Sequence, residues 1–264
     1  MRSALIRHWP EYLMEAAGLG LFMISACVFT VLVEHPESPV RSGLADPFVR
    51  RSLIGLAMGL TAIGLIYSPW GKRSGAHLNP TITLTFLRLG RVEAWDAAFY
   101  VIAHFAGALA GVLVAAAVLR SALAHAAVNY AVTLPGGWGR LGAFVAEFSI
   151  SLGLMLVVLL MSNVPRIARF TGLCAGALVA LYIALEAPLS GMSMNPARTL
   201  GSALPAWTWT GLWVYFTAPL FGMLTGAELY RGVSARGVAC AKLHHQNSYR
   251  CIFRCRYHGQ EGDQ

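Results

Sequence analysis

Long apolar runs separated by short polar gaps dominate the pattern of the chain. A helix needs roughly 20 apolar residues to cross the roughly 30 Å hydrocarbon core of a bilayer. Six runs approach or exceed that length and carry few ionisable residues. They cover residues 12–33, 52–70, 97–119, 141–161, 170–189 and 211–230. The pattern therefore predicts six transmembrane helices.

Two further apolar stretches, 78–87 and 194–204, are too short to span. Each contains an Asn-Pro pair near its start, Asn79-Pro80 and Asn195-Pro196. Proline is favoured at the first position of a helix, so each pair predicts a helix start. The two stretches are predicted to be half-helices that dip into the membrane.

The two halves of the chain repeat when the Asn-Pro pairs are superposed. Gly-x-x-x-Gly pairs end 20 residues before Asn79 and 19 before Asn195, and others begin 28 and 27 residues after them. Glu15 and Glu147 lie near the start of the first span of each half. Because each half has three spans, the second must enter from the opposite face. The sequence thus predicts an inverted repeat with its working site where the broken segments meet.

Composition supports a membrane protein. Hydrophobic residues make up 56% of the chain and charged residues only 12%, about half the share in soluble domains. This excludes a disordered chain, a disulfide-rich secreted module and most soluble enzymes. The net charge of +8 comes from scattered basic residues in the gaps and predicts no nucleic-acid partner. With both termini inside, 14 Lys and Arg face the cytoplasm and 5 face outward, which favours cytoplasmic termini.

Two segments carry a specific family resemblance. Residues 74–80 (SGAHLNP) and 191–198 (GMSMNPAR) resemble the paired signatures of the major intrinsic proteins, the aquaporin and glycerol-facilitator family. The likeness covers about residues 10–231. It implies an all-α membrane fold, a bundle of six tilted helices plus two half-helices, with one pore per subunit, a homotetramer and a multi-pass location in the plasma or inner membrane.

The resemblance also implies roles for residues of this sequence. Asn79 and Asn195 would be the pore asparagines, and Glu15 and Glu147 buried structural acids. The rest of the two signatures is Pro80, Thr81, Pro196 and Ala197. The backbone that lines the pore would come from Gly75, Ala76, His77, Gly191, Ser193 and Met194.

The narrowest ring of the pore would consist of Met58, Ile183, Met192 and Arg198. Water channels of the family carry an aromatic residue and a histidine at the first two positions, and glycerol channels usually pair two aromatics. This ring has neither arrangement. Thr81 also replaces the usual alanine, which predicts an extra hydroxyl beside the central constriction. In contrast, Thr199, Ala203 and Tyr215-Phe216 resemble the water-channel subgroup.

The composition changes after residue 231. The predicted domains are a channel domain, 1–231, with halves of about 10–120 and 140–231, and a basic cytoplasmic tail, 232–264. Thiol and imidazole groups of this tail are candidate ligands for zinc or another thiophilic metal, although the spacing matches no familiar finger. They are Cys240, His244, His245, Cys251, Cys255 and His258. The alternative is a basic tail on anionic lipid, with Ile252 and Phe253 at the interface.

The predicted function is a passive channel for water and small uncharged solutes such as ammonia, hydrogen peroxide or a metalloid hydroxide. It would exclude protons and ions and need no cofactor. Alternatives are a glycerol or small-polyol facilitator, a secondary transporter and a non-conducting membrane protein. An enzyme is disfavoured, since no paired carboxylates or nucleophile–base pair occur at pore depth.

Overall fold

The fold was obtained as a computed structural model, which describes residues 1–234 and 237–256. Within these ranges all regular structure is helical and there is no strand. The first half contains α1 (Arg2–Glu34), α2 (Pro39–Gly43), α3 (Pro47–Tyr67), α4 (Pro69–Ser74), α5 (Pro80–Arg88), α6 (Ala94–Leu119) and α7 (Ser121–Ala124). The second contains α8 (Gly139–Ser162), α9 (Thr171–Leu185), α10 (Ala187–Ser190), α11 (Pro196–Ala203) and α12 (Leu212–Val233). Single 3₁₀ turns cover Asn129–Ala131 and Ala168–Phe170.

The long helices match the six predicted spans, with shifted ends. Five of them are long and apolar enough to cross a membrane, and α12 adds 22 residues, about 33 Å of helix. Helix α1 begins about ten residues before its apolar run, because charged residues such as Arg2, Arg7 and Glu11 interrupt the hydrophobic pattern of its first three turns. The fifth span ends at Leu185 rather than 189, since the chain turns at Glu186 into the separate helix α10.

The helices pack as an inverted repeat. Helix α1 packs on α6, and the equivalent pair α8 and α12 packs in the same way, while α3 and α9 meet between the halves. Each half-helix packs on the last long helix of the other half: α5 contacts α12, and α11 contacts α6. The half-helices α5 and α11 also touch each other. Their amino-terminal ends therefore meet inside the bundle.

Glycines permit the close helix crossings. A Cβ atom on Gly107 of α6 would lie 2.1 Å from the carbonyl oxygen of Ala16 in α1. The equivalent atom on Gly222 of α12 would lie 2.3 Å from the carbonyl oxygen of Phe148 in α8. Any side chain at these positions would force the helices apart, so the repeated Gly-x-x-x-Gly pairs mark backbone contacts.

Tryptophans gather at the helix ends. All seven are between 42% and 78% exposed. Those at one end of the bundle are Trp9, Trp70 and Trp95, and those at the other are Trp138, Trp207, Trp209 and Trp213. Apolar side chains are exposed along the helices between them. Two aromatic belts around an apolar band are typical of a protein that spans a bilayer.

Residues 237–256 fold back against one end of the bundle, and we call them the cap segment. Leu243 and Phe253 are 4% and 7% exposed and belong to the main hydrophobic core. Burial lowers the pKa of Lys242, whose ammonium donates to the carbonyls of Tyr249 and Arg250. Arg250 also contacts the backbone of Arg7, so the cap segment and the start of α1 share one end of the bundle. The alternative placement of Phe253 at the lipid interface was wrong, because the ring is buried against the bundle.

Candidate functional site

A cavity of about 350 Å³ follows the centre of the bundle between the two halves. One mouth lies beside the cap segment, at Ile66 and Leu243, and we call it the tail-side mouth. The other lies near Arg51 and Val132, and we call it the arginine-side mouth. Predicted site residues that line the cavity are Met58, Ala76, His77, Asn79, Ile183, Gly191, Met192, Ser193, Met194, Asn195 and Arg198.

Each pore asparagine caps one half-helix. The Oδ1 atom of Asn79 accepts from the amide N–H of Thr81 at 2.9 Å. The Oδ1 atom of Asn195 accepts from the amides of Ala197 and Arg198, at 3.0 and 3.2 Å. The caps use the side-chain oxygens, so both NH₂ groups point away from their own helices.

The two NH₂ groups join the halves at the centre of the cavity. Asn79 Nδ2 donates to the carbonyl of Met194 at 2.7 Å, and Asn195 Nδ2 donates to the carbonyl of Leu78 at 2.8 Å. Each NH₂ group has a second hydrogen. The centre therefore combines two helix amino termini, each equivalent to roughly half a positive charge, with two fixed amide donors.

The broken segments before the asparagines have the same strained backbone. Left-handed φ values occur at Gly75, Ala76 and Leu78 in the first half. They recur at the matching positions of the second half, Gly191, Met192 and Met194. Such values are costly for residues other than glycine and persist only where surrounding contacts impose them.

Glu15 provides those contacts in the first half. It is fully buried, and its carboxylate accepts from Ser74 Oγ at 2.6 Å and from the amides of His77 and Leu78 at 3.1 and 2.6 Å. His104 Nε2 donates to the same carboxylate at 2.8 Å. No repeated pattern in the sequence indicates this bond.

Glu147 provides the equivalent contacts in the second half. Its carboxylate accepts from Ser190 Oγ and from the amides of Ser193 and Met194, all at 2.7 Å. The two acids therefore hold both broken segments through three matching loop donors, one serine hydroxyl and two backbone amides. Glu15 also accepts from His104 of α6.

In each half a tyrosine also bonds to the broken segment, and the sequence analysis did not assign this role to either tyrosine. Tyr100 Oη donates to the carbonyl of Ser74 at 2.6 Å, and Tyr215 Oη donates to the carbonyl of Ser190 at 2.5 Å. The repeat carried a signal for them, because the tyrosines follow Asn79 and Asn195 by 21 and 20 residues.

The four residues of the predicted ring all line the cavity. Met58, Ile183 and Met192 present apolar surface, and Met58 accepts a weak contact from Ser25 Oγ at 3.7 Å. The Nη1 atom of Arg198 is buried and has no hydrogen-bond partner among the residues that the structure describes. Arg198 is thus the one charged residue among the four predicted ring residues, and the other three are apolar.

The tail-side mouth is covered by the cap segment. His77 Nε2 donates to the carbonyl of Ala241 at 2.9 Å, and its ring stacks on Phe253 with centroids 5.2 Å apart. Leu243 lines the cavity, and its amide donates to the carbonyl of Gly75 at 3.1 Å. No pattern in the sequence predicts this contact between the tail and the first signature.

Two residues of the first signature are not among those that line the cavity. Gly75 does not line the cavity, since its carbonyl is bonded to Leu243 and Phe253 packs against its Cα. Thr81 is 1% exposed and is also not among the lining residues. Pro80, Pro196 and Ala197 are buried at the half-helix starts.

Four of the six tail candidates for a metal come together. One ligand atom from each of Cys240, His245, Cys251 and Cys255 lies within 4.8 Å of every other. His244 is not part of this cluster, because its ring packs edge-on against Tyr67. The sixth candidate, His258, lies outside the described residues.

Comparisons with known proteins agree with the geometry. Residues 3–230 match the family model described as "Major intrinsic protein". The chain is 39% identical to Aquaporin NIP1-3 of Oryza sativa subsp. japonica over 67% of this chain and 60% of the relative. It is 36% identical to Aquaporin NIP1-2 of Arabidopsis thaliana, over 83% and 72%.

The fold has a solved counterpart. The aquaglyceroporin from Plasmodium falciparum superposes with a TM-score of 0.72 at 22% identity, over 86% of this chain and 96% of that one. This likeness bears on the fold, which is the predicted bundle with two half-helices. With the family model matched over nearly the whole bundle, the chain belongs to the major intrinsic protein family.

Proposed function

We propose that this protein is a passive channel for water and small uncharged solutes that excludes protons and other ions. One observation carries the proposal: a single cavity is lined by both capping asparagines and by Arg198, whose buried Nη1 atom has no hydrogen-bond partner among the described residues. The family consists of channels rather than enzymes, as predicted.

The centre of the cavity explains ion exclusion. Two helix amino termini and the guanidinium of Arg198 create a positive field that repels cations. A water molecule that accepts from Asn79 and Asn195 must point both its hydrogens outward. It therefore cannot continue a chain of hydrogen bonds along which a proton would pass.

The preferred solutes follow from the ring. Met58, Ile183 and Met192 offer apolar contacts where a strict water filter would offer polar ones. A compact neutral solute then leaves fewer polar groups of the ring without a hydrogen-bond partner, and each such group would cost about 1–3 kcal/mol. We therefore propose ammonia, hydrogen peroxide or a metalloid hydroxide as solutes beside water. Glycerol is the second candidate, favoured by the absence of a histidine at Ile183.

The charge distribution supports a topology. The end that carries the cap segment also holds most lysines and arginines, so we propose that it faces the cytoplasm in a plasma or inner membrane. Membership of the family supports a homotetramer with one pore per subunit. Native mass determination of the detergent-solubilised protein would test the oligomeric state.

Light scattering on reconstituted vesicles tests the proposed function. Vesicles with and without the protein are exposed to gradients of impermeant sugar, glycerol, urea or ammonium salt. Faster shrinkage than in empty vesicles, without proton leak, supports a passive channel. Flux that saturates and follows an ion gradient would instead identify a secondary transporter, and shrinkage at the empty-vesicle rate would refute conduction.

A further inference from the structure

The cap segment keeps a definite fold without regular secondary structure. No helix or strand occurs between residues 237 and 256, yet Cys240, Ala241 and Leu243 are buried at 4% exposure or less. A segment this short buries too little apolar surface to be ordered by its own core. Small folded units that lack a sufficient core of their own are commonly stabilised by disulfides or a metal ion, in addition to contacts such as those of Leu243 and Phe253 with the bundle.

Three cysteines and one histidine of the segment lie close enough together to surround one metal ion. The ligand atoms of Cys240, His245, Cys251 and Cys255 are all within 4.8 Å of one another. The Sγ atoms of Cys240 and Cys251 are 3.5 Å apart, and Cys255 Sγ is 3.0 Å from His245 Nε2. Around Zn²⁺, with Zn–S distances of about 2.3 Å, the edges of a tetrahedron are about 3.8 Å. The observed spacings bracket that value.

A disulfide explains the cluster less well. All five cysteines of the chain lie in the described ranges, and none of them is in a disulfide. Three thiols cannot all pair with one another, and a disulfide gives no role to His245. Three thiolates and one imidazole are, in contrast, a common ligand set of structural zinc sites.

The ligands flank the contacts that hold the segment on the channel. Cys240 directly precedes Ala241, whose carbonyl accepts from His77. Cys251 and Cys255 enclose Phe253, whose ring stacks on His77. An ion bound by these residues would therefore tie both anchoring stretches together above the tail-side mouth.

We propose that one thiophilic divalent ion of the Zn²⁺ type binds to a four-ligand site and holds the cap segment against the tail-side mouth. The ligands are Cys240 Sγ, His245 Nε2, Cys251 Sγ and Cys255 Sγ. The site does not rest on the proposed channel function, because its tests measure metal content and chain protection rather than flux. Binding displaces the thiol protons, so metal affinity falls as the pH is lowered.

Zinc content of the full-length protein tests the site. The protein is purified in detergent under reducing conditions through a tag without histidine, stripped with a chelator and dialysed against Zn²⁺. One zinc ion per chain is expected for the parent, and loss of that ion for His245→Ala and for the double change Cys251→Ser with Cys255→Ser. His244→Ala and Cys174→Ser are matched controls, since His244 packs on Tyr67 and Cys174 lies in α9, and both should retain the ion.

Protection of the cap segment tests its fixation by the metal. Hydrogen exchange of residues 237–256 in the parent should be slow with Zn²⁺ and at least about tenfold faster after chelation, with no such change in the double cysteine variant. Zinc at background level in the reduced parent, zinc retained by both ligand variants, or a disulfide between Cys240 and Cys251 in freshly isolated protein would each overturn the site. Bound zinc without any effect on exchange would overturn its role in holding the segment.

Discussion

Asn79 and Asn195 each donate a hydrogen bond to the carbonyl group of the residue that precedes the other asparagine. Each asparagine also caps its own half-helix, so one side chain fixes both the helix start and the partner loop. The two halves of the bundle are therefore joined at the midpoint of the cavity by reciprocal polar contacts. Any change to one amide affects both halves.

Replacement of Asn79 or Asn195 by Asp should impair folding or permeation. A carboxylate oxygen in place of Nδ2 would face a carbonyl oxygen at 2.7–2.8 Å, and the lost bond should cost about 1–3 kcal/mol. The measurement is osmotic shrinkage of vesicles at equal protein content. Asn129→Asp in the loop after α7 is the control. Normal abundance with unchanged flux in both mutants would contradict the pore assignment.

Replacement of Arg198 by Ala or Val should loosen discrimination rather than merely lower conductance. The change removes the charge and the unused Nη1 donor and widens the ring. Proton leak and solute passage should both rise above the parent level in vesicles. Arg140→Ala, an exposed arginine at the start of α8, should alter neither. A parent-like profile for Arg198→Ala would remove this residue from the filter.

The double change Met58→Phe with Ile183→His should suppress small solutes more than water. It converts the ring to the pair that resembles water channels and adds polar groups that a compact apolar solute cannot satisfy. The measurement is the ratio of solute to osmotic water permeability in the same vesicles. A parent ratio at the empty-vesicle background, unaltered by the change, would identify a strict water pore.

Leu243→Ala should increase water flux through the tail-side mouth. Leu243 lines the cavity with 4% of its surface exposed, and truncation removes side-chain atoms that narrow the opening. Ile252→Ala changes the same segment outside the cavity wall and is the control. Osmotic permeability per chain is the measurement, and equal values for the parent and Leu243→Ala would show that the segment does not restrict access.

Gly107→Ala should destabilise the bundle strongly, whereas Gly64→Ala should be close to neutral. A Cβ atom on Gly107 would overlap the Ala16 carbonyl at 2.1 Å, while one on Gly64 would meet nothing within 4 Å. Overpacking of this kind typically costs about 1–3 kcal/mol. Thermal unfolding in detergent gives the comparison. Equal midpoints for the two variants would mean that α1 and α6 can separate at little cost.

Much of the bundle could be predicted from the sequence because hydropathy and repetition are periodic signals. The Asn-Pro pairs and the two glutamates recur at fixed offsets, which located both half-helices and both buried acids. Helix ends were less predictable, since hydropathy does not report the charged residues within the first turns of α1 as helical or the turn at Glu186.

Contacts that occur in only one half of the chain could not be predicted from the sequence. His104 bonds to Glu15 without an equivalent in the second half, where Pro219 stands in α12. The contact of Phe253 with His77 joins residues 176 positions apart and follows no repeat. Likewise, the composition of the tail suggested metal ligands, but only the structure shows that His245, and not its neighbour His244, belongs to the cluster.

The cap segment covers one end of a pore whose two halves are otherwise alike. A channel without an energy source cannot favour one direction of flow, because net movement always follows the gradient. Closure at the tail-side mouth would therefore reduce entry and exit equally. If the proposed metal site holds the cap segment in place, the metal content and thiol state of a single compartment would set how freely both sides of the membrane exchange water.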